Sequence, residues 1–106
     1  MFSSDPRVYE DASILVLNGT DEAGIASAEQ ALLEESGYQN VYADNAPEGE
    51  YAEEYTLYAV SASAPGTKAL LEKKYHTTAK TLEDLPEGID TSYDLILIIG
   101  SNSTNN

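Results

Sequence analysis

The chain has no cysteine, no tryptophan, one histidine and only five basic residues among its 106. Without cysteine there is neither a disulfide framework nor a thiolate metal site. With His76 as the lone imidazole, a His-based metal centre or a nucleophile–His dyad lacks its usual partners. Nineteen acidic residues against five basic ones give a net charge of −14. That field repels phosphate backbones and anionic lipid, which excludes nucleic acid and membrane surfaces as partners. No apolar run approaches the roughly 18 residues of a membrane span. The first residues, Met1-Phe2-Ser3-Ser4-Asp5-Pro6, have neither the basic start nor the apolar core of a signal peptide. An exported parent would carry its signal or membrane anchor outside these 106 residues.

The apolar residues that remain are concentrated in short runs. A chain of this length is one domain by the usual size rule. Residues 1–11 read as a leader or linker, 12–101 as the domain and 102–106 as a polar tail. Ser13 to Leu17 is a strand whose apolar residues do not alternate, so both of its faces should be covered. Gly19 turns the chain, Thr20 or Asp21 is the expected N-cap, and a helix follows from about Glu22 to Ser36. Its inward face is expected to be Ile25, Ala28, Leu32 and Leu33, with Glu29, Glu34 and Glu35 largely off it. Gly37 should end it as a left-handed cap.

Tyr38 to Ala43 reads as a second strand, joined to the first by a right-handed parallel crossover. Asp44 to Glu54 is a loop, and Tyr55 to Val60 a third strand rich in aromatic and branched residues. After the small residues of Ser61 to Gly66, a second helix is expected from about Thr67 to Tyr75. Ala69, Leu70 and Leu71 should face inward on it. A short edge strand lies within Thr77 to Leu82, a Pro/Gly loop over Leu85 to Ser92, and the strongest strand over Tyr93 to Ile99. The last is apolar on both faces and belongs beside the first strand at the sheet centre. The fold class is α/β: one small domain with a mixed sheet and two helices, in the order β-α-β-β-α-(β)-β. A ferredoxin-like α+β arrangement is the architectural alternative.

The chemistry is sparse. Gly19-Thr20-Asp21-Glu22-Ala23-Gly24 is one substitution from the dinucleotide fingerprint GxGxxG. Asp21 stands where a glycine would let backbone approach a pyrophosphate, and its carboxylate opposes the phosphates. Asn18, Gly19, Thr20 and Gly24 are therefore read as a structural turn. No catalytic, cofactor-binding or metal-binding residue is assigned, and no cofactor is expected. Paired acids such as Glu34/Glu35, Glu53/Glu54 and Glu83/Asp84 leave a small carboxylate-dependent enzyme as an alternative, although neighbouring acids more often make a solvated face.

Two distributions stand out. Lys68, Lys73, Lys74 and Lys80 fall within thirteen positions, with His76 among them. This is a candidate patch for an anionic partner, although complementation of a helix C-terminus also accounts for Lys73 and Lys74. Tyr51, Tyr55 and Tyr58 cluster around the acidic loop and the third strand. A tyrosine offers a flat apolar face and a hydroxyl, which suits glycan or protein contact; half-buried strand tyrosines are the plainer explanation.

Val16-Leu17-Asn18-Gly19-Thr20, Gly24-Ile25-Ala26, Ala31-Leu32-Leu33, Gly37-Tyr38 and Asp44-Asn45-Ala46 together resemble the LytR C-terminal domain family. The resemblance continues through Tyr55-Thr56-Leu57-Tyr58, Pro65-Gly66 and the closing Asp94-Leu95-Ile96-Leu97-Ile98-Ile99-Gly100. It implies an accessory module of bacterial cell-envelope proteins, found after the catalytic domain of LytR-CpsA-Psr glycopolymer transferases and in other anchored proteins. It thus implies an extracytoplasmic, non-catalytic role in a membrane-anchored parent. The implied partner is peptidoglycan, a wall glycopolymer or an envelope protein, with a purely structural spacer as a further alternative. The resemblance assigns no functional residue.

Overall fold

The computed structural model describes residues 12–49, 51 and 53–100. The expected leader and polar tail lie outside them. Five strands and two main helices follow one another as β1 (Ser13–Asn18), α1 (Ile25–Glu35), β2 (Asn40–Asn45), β3 (Tyr55–Ala59), α2 (Pro65–Tyr75), β4 (Lys80–Thr81) and β5 (Leu95–Ile99). A single 3₁₀ turn, Leu82–Asp84, follows β4. The sheet order is β2-β1-β5-β3-β4. Strands β1 and β5 are parallel neighbours at the centre, in register from Ile14/Leu95 to Asn18/Ile99. β3 runs antiparallel to β5, and β4 parallel to β3. The sheet is thus the mixed α/β one the sequence predicts, and not the ferredoxin-like alternative.

The topology reduces to two strand–helix–strand units, β1–α1–β2 and β3–α2–β4, pointing in opposite directions and joined through β5. Both helices lie on one face. There Ile14, Val16, Leu57, Leu95, Leu97 and Ile99 pack against Ala26 and Leu33 of α1 and Leu71 and Tyr75 of α2. The alternate residues Leu15, Leu17, Tyr58, Ile96 and Ile98 point to the other face, which loops cover through Ala46, Tyr51, Leu85, Ile89 and Tyr93. β5 is buried throughout. Full burial of a side chain such as Ile96 or Leu97 stabilises by about 1.5–3 kcal/mol relative to exposure.

The helices differ from expectation in detail. α1 starts at Ile25, because the hydrogen bonds of Thr20 are used in the preceding turn. Gly24 is its N-cap, in the left-handed region at φ 86°, with no side-chain cap. Its buried residues are Ala26 and Leu33; Ala28 is exposed and Leu32 is 51% exposed. Glu29, expected off the inward face, instead accepts a hydrogen bond from the Tyr75 hydroxyl at 2.6 Å and ties α1 to α2. The α1 C-terminus is a Schellman motif: Tyr38 N–H donates to Leu33 O and Gly37 N–H to Glu34 O, both at 3.1 Å.

α2 begins two residues earlier than expected, with Pro65 in its first turn, where a missing N–H costs nothing. It buries Thr67, Leu71 and Tyr75 at four-residue spacing, while Ala69 is exposed. His76 caps its end in the left-handed region at φ 52°. Its N–H donates to Glu72 O.

Candidate functional site

Three crevices matter, two at the first unit and one at the second. The first-unit turn is closed upon itself. The Asn18 side chain leaves the carboxyl end of β1 and is 9% exposed. Its Oδ1 accepts from Thr20 N–H at 2.9 Å and from the Thr20 hydroxyl at 2.6 Å, and its Nδ2 donates to Glu22 O at 2.8 Å. Gly19 N–H donates to Ile99 O at 2.8 Å. A Cβ on Gly19 would lie 2.8 Å from the Tyr51 ring and 2.9 Å from Ile99 O. Gly100 is packed more tightly still: its N–H donates to Glu54 O at 2.9 Å, and a Cβ there would fall on Glu53 O. Tyr51, Glu53 and Glu54 therefore cross the carboxyl ends of β1 and β5 so closely that both glycines are steric requirements.

Two small crevices flank this turn. One, of about 230 Å³, is lined by Asn18, Gly24, Ala26, Ser27 and residues 43–45. The other, of about 220 Å³, is lined by residues 18–21, 46–49 and Tyr51. Neither includes a lysine; Asp44 faces the first, and Asp21 and Glu48 the second. Asp21 of the near-fingerprint thus has Asp44 and Glu48 as neighbouring carboxylates around the turn.

The crevice of the second unit is different. It occupies about 660 Å³ at the carboxyl ends of β3 and β4, beside the start of α2. Residues 59–62, Ala64, Pro65, Lys68 and 79–83 line it. The carboxyl ends of strands in a strand–helix–strand unit are where open α/β sheets hold ligands. Its surface is mainly apolar, made by Ala59, Val60, Ala62, Ala64, Pro65, Ala79 and Leu82, with Lys68, Lys80 and Glu83 as its charged residues. Lys68 reaches a carboxylate only loosely, Glu72 at 4.0 Å. Lys80 is in register with Tyr58 and Thr81 with Ala59, so the Lys80 side chain leaves from the loop-covered face and its backbone lies at the crevice.

The structure divides the lysine patch expected from sequence. Lys68 and Lys80 line the crevice, whereas Lys73 and Lys74 occupy the last turn of α2, with Lys74 Nζ 5.7 Å from the Tyr75 ring centre. It also divides the tyrosines. Tyr55 packs against Tyr75 on the helix face, with ring centres 4.6 Å apart and planes tilted by 47°. Tyr58 is buried on the loop face, where Tyr51 packs and donates its hydroxyl to Pro47 O at 2.7 Å. The three do not form one surface. Burial, followed by nearby carboxylates, raises the phenols of Tyr55 and Tyr58. Burial and the Glu29 hydrogen bond push Tyr75 far above the ordinary tyrosine range.

One cluster escaped the sequence reading. Asp94 sits just before β5, and its carboxylate accepts from Ser13 N–H at 3.0 Å, the Ser13 hydroxyl at 3.3 Å, Ser61 at 3.0 Å and Ser63 at 3.2 Å. Val60 N–H donates to Asp94 O at 2.9 Å. Asp94 thereby ties the start of β1 to the end of β3. The Ser13 N–H leads in holding its carboxyl below the usual range; partial burial opposes this and the three hydroxyls assist. Serines carry no periodic signal, so nothing in the sequence marked this convergence.

A mixed sheet with both helices on one face and two opposed strand–helix–strand units defines the class of small α/β domain. Within it, the family model described as the LytR cell envelope-related transcriptional attenuator matches residues 11–102, and the chain belongs to that family. Its fold is similar to the soluble domain of a conserved hypothetical secreted protein, the Rv2700 ortholog of Mycobacterium marinum. That match has 17% identity and a TM-score of 0.60, covering 91% of this chain and 69% of that one. It is also similar to the C-terminal domain of RV0431, at 19% identity and a TM-score of 0.54, covering 85% of this chain and 72% of the other. No curated protein matches the sequence. The family is one of accessory domains associated with the cell envelope. Among the described residues, no helix is long and apolar enough to cross a membrane.

Proposed function

We propose that the chain is a non-catalytic binding module of an exported, membrane-anchored cell-envelope protein, and that it grips a cell-wall polymer through the crevice of the β3–α2–β4 unit. The supporting observation is that crevice itself. It has the volume and mainly apolar lining of a ligand site, at the end of a strand–helix–strand unit. A spacer needs no such cavity. Asp94, beside the crevice, is held low by hydrogen bonds from Ser13, Ser61 and Ser63, which suits a structural tie rather than a proton donor.

Co-sedimentation with purified insoluble peptidoglycan tests the reading. Binding should fall severalfold in Lys68→Glu and persist in Lys73→Glu/Lys74→Glu, because only Lys68 of these lines the crevice. Wild-type protein left wholly in the supernatant, or Lys68→Glu sedimenting like wild type, would overturn it.

A further inference from the structure

The crevice also has features that select one part of a wall polymer over the others. We propose that its ligand is the peptide part: a short stretch of alanine-sized residues whose free carboxylate pairs with Lys68. The inference rests on the binding reading above and makes it chemically specific.

Three observations carry it. The first concerns shape and lining. The methyl groups of Ala59, Ala62, Ala64 and Ala79 and the ring of Pro65 make a floor of small apolar groups, and among the described residues no aromatic side chain lines the crevice. A sugar ring is commonly held against a flat aromatic face, and this site offers none. Small side chains fit it, and about 660 Å³ lies within the range of small-ligand pockets.

The second is charge. The protein carries −14, yet Lys68 lines this crevice, and Glu83 is the carboxylate among its described lining residues, where Lys80 contributes backbone. Fields are screened over about 8 Å at physiological ionic strength. A lone carboxylate therefore meets mainly Lys68, whereas an extended polyanion meets the repulsion of the whole surface. This complementarity favours a ligand with one carboxylate over a phosphate-rich polymer.

The third is backbone. Among the described residues, β4 is the last strand of the sheet, and its Lys80 and Thr81 line the crevice. An extended peptide that enters the crevice meets the backbone of this edge strand, where main-chain groups can pair with main-chain groups. A glycan has no matching ladder of donors and acceptors.

The test uses the full chain, ¹⁵N-labelled and followed by NMR. The probes are D-alanyl-D-alanine, its C-terminal amide, L-alanyl-L-alanine, soluble peptidoglycan fragments, and glycan strands freed of peptide by an amidase. D-Alanyl-D-alanine should shift the amides of residues 59–68 and 79–83. The amide derivative, and the Lys68→Met variant with the free acid, should bind about three- to tenfold more weakly, as expected for loss of one charge-assisted contact. A Lys73→Ala/Lys74→Ala variant should bind like wild type. Peptide-free strands binding as tightly as whole fragments would overturn the peptide assignment while leaving the wall-binding reading intact. Dipeptide binding without any binding of fragments would do the reverse. Preference for L-alanyl-L-alanine would transfer the site to protein C-termini and overturn the wall assignment. Shifts confined to the neighbourhood of Tyr51 would overturn the choice of crevice.

Discussion

The two strand–helix–strand units of this domain share a plan and differ in what they do with it. In β1–α1–β2, six residue pairs align the strands, and the carboxyl end is stitched shut by Asn18, Thr20 and the close approach of Tyr51, Glu53 and Glu54. In β3–α2–β4, two pairs align the strands, and the carboxyl end stays open as a crevice of about 660 Å³. One unit closes its carboxyl end over the sheet, and the other leaves a crevice there. The conspicuous glycine-rich signature marks the closed unit. The open one follows an unremarkable run, Ser61-Ala62-Ser63-Ala64-Pro65.

The sharpest way to break the comparison is Gly100→Ala. The new methyl would occupy the position of Glu53 O, so the crossing segment must leave the end of the sheet. Overpacking against backbone costs about 1–3 kcal/mol or more; urea unfolding should show a loss at the upper end of that range or no folded protein. A variant as stable as wild type would mean that the crossing segment does not lock the first unit.

A smaller effect separates the two ends. Asn18→Ala removes the acceptor of the Thr20 N–H and hydroxyl and one donor to Glu22 O, and should cost about 1–1.5 kcal/mol. Ser63→Ala, on an exposed hydroxyl bonded to Asp94, should stay within about 0.5 kcal/mol. Equal losses in the two variants would erase the distinction between a stitched and an open end.

The smallest expected effects depend on pH. The Asp94 carboxyl is lowered in the folded chain. Its contribution is therefore fully present above the unfolded value of about 3.9 and is lost as pH falls through the lower folded value. Tyr75 is raised, so its contribution is complete below about pH 10 and fades as pH climbs past it. Asp94→Asn should flatten the acid limb of a stability–pH curve and Tyr75→Phe the alkaline limb. A limb left unaltered by its own substitution would remove that group from the account.

Much of this fold was legible because central strands announce themselves. Leu95-Ile96-Leu97-Ile98-Ile99 has no polar residue to face solvent, so it had to be covered on both sides, and it is. Gly37 declared its left-handed cap for an equally local reason. The helix faces were less legible, since Ala28, Leu32 and Ala69 have apolar character without a partner layer to receive them. Both helices lie on one side, and loops rather than a third layer cover the other. Lys68 was readable as a contact candidate, but its separation from Lys73 and Lys74 depends on where α2 meets β4. Asp94, Ser61 and Ser63 converge only through the pairing of β3 with β5, which no local pattern encodes.

The central pairing has a mechanical consequence. β1 and β5 lie side by side and run the same way, so Ala12 precedes one end of the pair and Gly100 follows the opposite end. Tension applied between these two residues runs along both strands and loads their hydrogen bonds together, in shear. The pair cannot open like a zipper, one bond at a time. A module tethered in a stressed envelope and drawn taut from both sides would therefore resist through its most deeply buried strands.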